Sequence, residues 1–83
     1  MELIKRTIIT PVSDNLSPIT ISLQRNDIGE YMVVESQGKG KQTAISYTST
    51  KRTANEWYAD KIANIKSFLV EEEFGFSVKE YAD

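Results

Sequence analysis

The spacing of apolar residues changes once along this 83-residue chain, shortly after Thr48. Before that point apolar and polar residues alternate, most strictly in Ile19-Thr20-Ile21-Ser22-Leu23-Gln24, and alternation sends successive side chains to opposite faces of a β-strand. After it, apolar residues recur about every 3.6 positions, which is the spacing of an amphipathic helix. The sequence therefore predicts a sheet followed by one helix.

Four stretches have the composition or the alternation of strands and are bounded by turn residues. They are residues 2–10, 19–24, 30–36 and 42–48. In the third stretch Tyr31, Met32, Val33 and Val34 are all apolar, so the pattern does not assign its inward face. Short connections between the strands, at residues 26–29 and 37–41, favour hairpins and an antiparallel meander.

The helix is predicted over residues 53 to 70. Its apolar stripe includes one amphipathic lysine and consists of Ala54, Trp57, Tyr58, Lys61, Ile62, Ile65, Phe68 and Leu69. Thr53 and Glu56 have the spacing of a capping box, and Thr50 is an alternative cap one turn earlier. Gly75 is the predicted stop, and residues 71–83 are expected to be either a mobile tail or a short fifth strand.

The predicted fold class is α+β: a four-stranded antiparallel meander sheet with one C-terminal helix packed on one face (ββββα), in a single domain over residues 1–83. If Ile19, Ile21 and Leu23 pack on the helix, the same strand presents Thr20, Ser22 and Gln24 on the other face. One helix leaves that second face to water or to a partner. Function is therefore sought there.

The composition of the chain excludes several kinds of catalytic and metal-binding site. The chain has no cysteine and no histidine, which excludes disulfides, thiolate chemistry, zinc sites of the Cys/His kind and imidazole catalysis. The carboxylates have no spacing that ties them to a catalytic partner, so we expect no enzyme activity, no metal and no cofactor. No apolar run approaches the roughly 18 residues of a membrane span, and no signal peptide is recognised. The expected location is cytoplasmic.

Charge is distributed unevenly along the chain. Residues 1–52 carry seven basic and five acidic residues, whereas residues 53–83 carry three basic and seven acidic residues. The predicted sheet is therefore mildly basic and the helical end acidic. This asymmetry allows the sheet to approach phosphate groups although the net charge is −2.

The turn Gly38-Lys39-Gly40-Lys41 has two interpretations. It lacks the glycine spacing of a Walker loop and no helix follows it, so it is not predicted to bind a nucleotide in that way. It is either a hairpin tip made soluble by its lysines or a place where Lys39 and Lys41 contact a phosphate backbone. The sequence leaves both interpretations open.

The layout of residues 19–62 resembles one repeat of the PUR domains, which bind purine-rich elements. The residues that carry this resemblance are Gln24-Arg25-Asn26 at a strand end, Gly29 before Tyr31, the glycine- and lysine-rich turn, a final strand and a helix opening with Trp57. More distantly, the layout is similar to the Whirly proteins and to the positive-cofactor class of transcriptional coactivators.

The resemblance implies four curved strands before a helix and a regulator that binds single-stranded nucleic acid. Carried over by position, it implies nucleic-acid contacts by Gln24, Arg25 and Asn26, and backbone contacts by Lys39 and Lys41. Because two PUR repeats intertwine and this chain has one, it also implies a homodimer. The alternation alone places no aromatic side chain on the open face.

A protein-binding module is the alternative. Such a module, or a small inhibitor, would dock through the sheet face, through an edge strand, or through the acidic helix end at Glu71, Glu72 and Glu73, where carboxylates imitate phosphate charge. A structural subunit of a larger assembly is a third class with the same composition.

Overall fold

The Phe76–Ala82 segment pairs with the first strand and completes a sheet of five strands. The computed structural model describes residues 2–38 and 43–82. The elements in chain order are β1 (Glu2–Pro11), β2 (Ile19–Arg25), β3 (Tyr31–Gln37), β4 (Thr43–Thr48), α1 (Lys51–Glu71) and β5 (Phe76–Ala82).

All pairings are antiparallel, and the spatial order of the strands is β4-β3-β2-β1-β5. The predicted α+β class, with an antiparallel sheet and one helix, is therefore confirmed. The predicted count of four strands is wrong, because the chain returns after the helix to add β5 beside β1. Of the two expectations for the tail, the short strand is the one found for residues 76–82.

The core lies between α1 and one face of the sheet. Ile9, Ile21, Leu23 and Val33 project from the strands onto a helix stripe formed by Ala54, Tyr58, Ile62, Ile65 and Leu69. The alternation of β2 thus has the predicted orientation, since Ile21 and Leu23 are fully buried and Ile19 packs at the margin of the same cluster. Phe68, predicted in the stripe, is instead 54% exposed.

The register decides the orientation of β3. Leu23 lies opposite Val33, so Tyr31, Val33 and Glu35 share the face that α1 covers. The carboxylate of Glu35 lies 3.5 Å from Nζ of Lys61 on the helix. Met32 and Val34 then point to the other face.

The helix begins earlier than predicted. Thr50 is the N-cap, with an extended backbone, and its carbonyl accepts the first helical hydrogen bond from the N–H of Ala54 at 3.1 Å. The predicted capping box at Thr53 is therefore wrong, because Thr53 already lies within the first turn. The alternative position at Thr50 is correct, although its side chain makes no capping hydrogen bond.

The helix ends at Glu71, with Glu72 as its C-cap, before the predicted stop at Gly75. The N–H of Glu73 donates to the carbonyl of Val70 at 3.1 Å, and that of Phe74 donates to the carbonyl of Leu69 at 2.8 Å. This pair of hydrogen bonds is a Schellman motif, in which the residue at the Glu73 position adopts a left-handed backbone. Glu73 does so with φ of 61°. Gly75, the predicted stop, lies outside this motif, and its carbonyl accepts a hydrogen bond from the N–H of Val12.

The helix packs mainly on β2, β3 and β4, and it meets β1 at Ile9 in the core and at Thr7, which shares a hydrogen bond with Tyr58. Within the described residues, no helix has the length and apolar character needed to cross a bilayer. The side of the sheet that points away from α1 receives no second layer from the described part of the chain. We call this side the uncovered face.

Candidate nucleic-acid interface

The cross-strand register defines which side chains share the uncovered face. Arg6 of β1 lies opposite Ser22 of β2 and opposite Tyr81 of β5, and Ser22 lies opposite Val34 of β3. Residues directly opposite each other in an antiparallel pair project to the same face. A row of side chains therefore crosses from β3 to the β5 edge.

A second row runs beside the first. Gln24 lies opposite Met32, and Met32 lies opposite Tyr47 of β4. Ile8 of β1 lies between Thr20 and Lys79 in a third row. The uncovered face thus brings together residues from all five strands.

Charge separates between the two faces of the sheet. The strands contain three carboxylates, Glu2, Glu35 and Glu80, which lie opposite Arg25, Ile21 and Thr7 respectively, all on the helix-bearing side. Arg6 and Lys79 are on the uncovered face. The strands therefore place cations and no carboxylate on that face, although the net charge of the chain is −2.

Arg6 has a stacked and partly unsatisfied guanidinium. Its central carbon lies 4.7 Å from the centroid of the Tyr81 ring, the geometry of a cation–π contact. Its Nε is buried, and no residue of the described ranges accepts a hydrogen bond from it. An unsatisfied buried donor costs free energy, and a ligand acceptor would reach this N–H only after the Arg6 side chain turned outward.

Two tyrosines stand at opposite edges of the uncovered face. Tyr47 on β4 is 56% exposed and Tyr81 on β5 is 44% exposed, whereas Ser22, Met32 and Val34 between them are only 5% to 6% exposed. The face thus has a buried middle, made by these three residues, and an exposed aromatic ring at each edge; we call the strip between the rings the trough and the three residues its floor.

Sequence reasoning missed Arg6, Tyr47, Lys79 and Tyr81. Arg6 and Tyr81 are neighbours only because β1 pairs with β5, a pairing between distant parts of the chain. The β3–β4 register shifts between Val33 and Val34, so strict alternation fails as a guide to β4. The sequence shows that Tyr47 and Tyr81 are present, but it does not show that both lie in edge strands or which face of the sheet they occupy.

The predicted residues of β2 divide between the two faces. Thr20, Ser22 and Gln24 are on the uncovered face, as expected. Ser22 is nevertheless buried, and its Oγ accepts a hydrogen bond from Nε2 of Gln24 at 3.0 Å. Arg25 is on the helix-bearing side, where its guanidinium lies 5.8 Å from the Tyr31 ring centroid.

Asn26 shapes the turn after β2. Its Oδ1 accepts hydrogen bonds from the N–H groups of Glu30, at 2.8 Å, and Ile28, at 3.2 Å. Gly29 completes the turn with φ of 88°, a conformation that favours glycine. Asn26 therefore has a structural role that the resemblance did not imply.

A depression of about 360 Å³ next to this turn is lined by Glu2, Arg25, Asn26, Asp27 and Gly29. Two carboxylates share it with one guanidinium, so its charge is poorly suited to phosphate. The structure does not bring Arg25 and Asn26 together with the cations of the uncovered face. Lys39 and Lys41 lie outside the described residues.

The acidic end of the helix is a separate surface. Glu71, Glu72 and Glu73 are all exposed, and Phe68 and Val70 just before them are also exposed. Within the described ranges, no group of three or more histidine, cysteine, aspartate or glutamate side chains is placed to hold a metal ion.

Comparisons with protein-family models, with curated proteins and with solved structures found no match to this chain.

Proposed function

We propose that this protein is a small non-enzymatic regulator that binds single-stranded nucleic acid on its uncovered face. The observation that carries the proposal is the separation of charge: Arg6 and Lys79 are on this face, and every strand carboxylate is on the other. Phosphate contacts supply much of nucleic-acid affinity, and a face without carboxylates allows the backbone to approach.

The exposed aromatic and polar side chains of this face favour single-stranded nucleic acid as the ligand. Tyr47 and Tyr81 offer rings on which unpaired bases can stack, and Thr20 and Gln24 offer hydrogen bonds beside them. The resemblance of layout to PUR repeats favours the same class of ligand. Lys39 and Lys41 remain predicted backbone contacts.

A salt titration tests the proposal. A fluorescently labelled thymidine 20-mer is titrated with the protein at about 50 and 200 mM salt. Two phosphate contacts on a single strand predict an affinity about sevenfold weaker at the higher salt, and further contacts by the turn lysines steepen this dependence. Absence of binding at the lower salt would reject the function.

A matched pair of charge reversals tests the face. Lys79→Glu is expected to weaken binding and to reduce the salt slope by about 0.7, the contribution of one lost phosphate contact. Lys66→Glu changes the net charge equally but lies on the helix beside Tyr58 and Glu80, on the far side of the sheet. If the two variants lose equal affinity, the interaction follows net charge and the uncovered face is not the site.

A homodimer is part of the same proposal. β4 is an edge strand whose six residues, Thr43–Thr48, include no charged side chain, and charge is a common protection of an edge against pairing. Light scattering on the free protein should give twice the monomer mass. A strict monomer would remove the dimer from the proposal without affecting the nucleic-acid titration.

The alternative is a protein-binding module that uses the acidic helix end. It is favoured by exposed Phe68 and Val70 next to Glu71, Glu72 and Glu73, since exposed apolar side chains beside like charges are typical of docking surfaces. Replacing the three glutamates by glutamine should then abolish capture of a basic partner protein while leaving oligonucleotide affinity unchanged. Loss of oligonucleotide binding in that variant would contradict the separation of the two surfaces.

A further inference from the structure

The positions of the two exposed tyrosines define a direction across the sheet. Tyr47 is on β4 and Tyr81 is on β5, the two edge strands, with β3, β2 and β1 between them. Four spacings of about 4.8 Å separate the edges, and the two tyrosine rows are offset by two residues, about 7 Å, along the strands. The backbone positions that carry the two rings are therefore about 20 Å apart, on a line that runs across the strands.

The floor between the rings is buried and uncharged. Met32 lies next to Tyr47 in one row, and Val34 and Ser22 lead to Arg6 in the other. All three floor residues are buried, so a chain lying in the trough meets exposed rings at both ends. Single-stranded nucleic acid suits this arrangement, because its unpaired bases can turn toward the two tyrosine rings.

Arg6 supplies a polar contact inside the trough. One face of the Tyr81 ring is occupied by the Arg6 guanidinium, so a base has the opposite face available for stacking. The Arg6 Nε, which lacks an acceptor among the described residues, is placed next to this ring. Turned toward the ligand, the Arg6 side chain would donate this N–H to a phosphate oxygen or a base carbonyl of the same strand.

From these observations we propose that a single strand crosses the uncovered face from edge to edge, stacking one base on Tyr47 and another on Tyr81, with Arg6 donating a hydrogen bond beside Tyr81. This inference rests on the proposed function and adds the path, the site length and the requirement for unpaired bases. A duplex is disfavoured because its bases present no free faces to a side chain. The site is at the lower end of the range of about 4 to 16 nucleotides covered by single-strand-binding folds.

The test is a length series of labelled thymidine oligomers from 2 to 12 nucleotides. Affinity should rise steeply until the oligomer spans both tyrosines and then only slowly. Tyr47→Ala and Tyr81→Ala should each weaken the 12-mer by about 5- to 150-fold, the effect of losing one stacked base. Each should weaken the dinucleotide by about twofold at most, because that ligand occupies one ring at a time and the other ring remains.

Three controls accompany the series. Phe68→Ala removes an aromatic side chain as exposed as Tyr47 but outside the trough, and should leave every affinity unchanged. Tyr47→Phe and Tyr81→Phe retain the rings and should retain binding. Circular dichroism and urea unfolding should show that the alanine variants remain folded, as expected for exposed positions.

Different outcomes reject the proposed path across the sheet and the proposed function. If the 12-mer binds but neither tyrosine variant weakens it, the path is wrong and the proposed function stands. If heparin, a polyanion without bases, binds as tightly as the 12-mer, base stacking adds nothing to affinity, and both the path and the preference for nucleic acid are rejected. If no oligomer binds at low salt, both the proposed function and the path are rejected.

Discussion

Tyr58 of α1 and Thr7 of β1 share a buried hydrogen bond, with 2.5 Å between the two hydroxyl oxygens. It joins the helix to β1, the strand that also carries Arg6 on its other face. Nζ of Lys5, also on β1, lies 4.7 Å from the centroid of the Tyr58 ring, the geometry of a cation–π contact. The position of β1 under the helix therefore depends on a polar pair inside an otherwise apolar core.

Thr7→Val should destabilise the protein by about 1–3 kcal/mol, because the substitution keeps the shape of the side chain but leaves the Tyr58 hydroxyl buried without its partner. Urea unfolding followed by circular dichroism measures the change. Thr10→Val, at an exposed position of the same strand, should stay within about 0.5 kcal/mol of the wild type. Equal losses in the two variants would show that strand propensity, and not the hydrogen bond, is responsible.

Alkaline pH should weaken the fold through Tyr58. Burial raises the pKa of its hydroxyl above the ordinary value of 10.0; the hydrogen bond with Thr7 lowers this pKa in part, and the charge of Glu80 raises it further. The unfolded chain then loses this proton first as pH rises. Stability from the neutral hydroxyl is complete below about pH 10 and is lost as the pH rises through the raised pKa.

Tyr58→Phe removes this titration while the other tyrosines and the lysines are retained. The free energy of unfolding of the variant should therefore fall less steeply than that of the wild type between about pH 9 and 12. Urea midpoints collected across that range provide the comparison. Parallel curves would mean that Tyr58 is not the group responsible.

Glu73→Gly should stabilise the protein by about 1 kcal/mol. Glu73 holds a left-handed backbone at the end of α1, which is costly for a residue with a Cβ and has little cost for glycine. Thermal and urea unfolding give the sign of the effect. Gly75→Ala is a useful comparison, because Gly75 lacks a positive φ and an added Cβ would meet Val12 only at ordinary van der Waals distance, so its stability should change little.

Arg6→Met should weaken oligonucleotide binding while changing the free energy of unfolding only slightly. The substitution retains an apolar stem and removes a buried nitrogen that lacks a partner among the described residues, so the free energy of unfolding should fall by less than about 1 kcal/mol, the scale of the lost cation–π contact. Affinity for the thymidine 12-mer should decrease in the same variant. A protein that is strongly destabilised instead would assign Arg6 a structural role.

The pattern of apolar residues was enough to predict the sheet, the helix and the inward face of β2. It could not assign the inward face of β3, because Met32 and Val34 are buried on the uncovered face while Val33 is buried under the helix. Both faces of that strand therefore select apolar residues, and a period of two cannot appear.

The fifth strand lacks the signal that sequence reasoning uses. Most of its side chains are exposed, and only Phe76 and Val78 are partly buried, so its alternation is weak. It is held largely by backbone pairing with β1, which composition does not report. Arg6 and Tyr81 were missed for this reason, since no local rule brings residues so far apart in sequence into contact.

The return of β5 to β1 has a consequence for the order in which the molecule assembles. The hairpins of β1 to β4 need only short loop closures, whereas β5 must find a strand from the opposite end of the chain, the step with the largest closure entropy. An edge strand with few buried side chains is also the first expected to detach in a local opening. The Arg6–Tyr81 pair thus forms last and dissolves first, so a chain that is almost folded has a core but lacks part of the uncovered face.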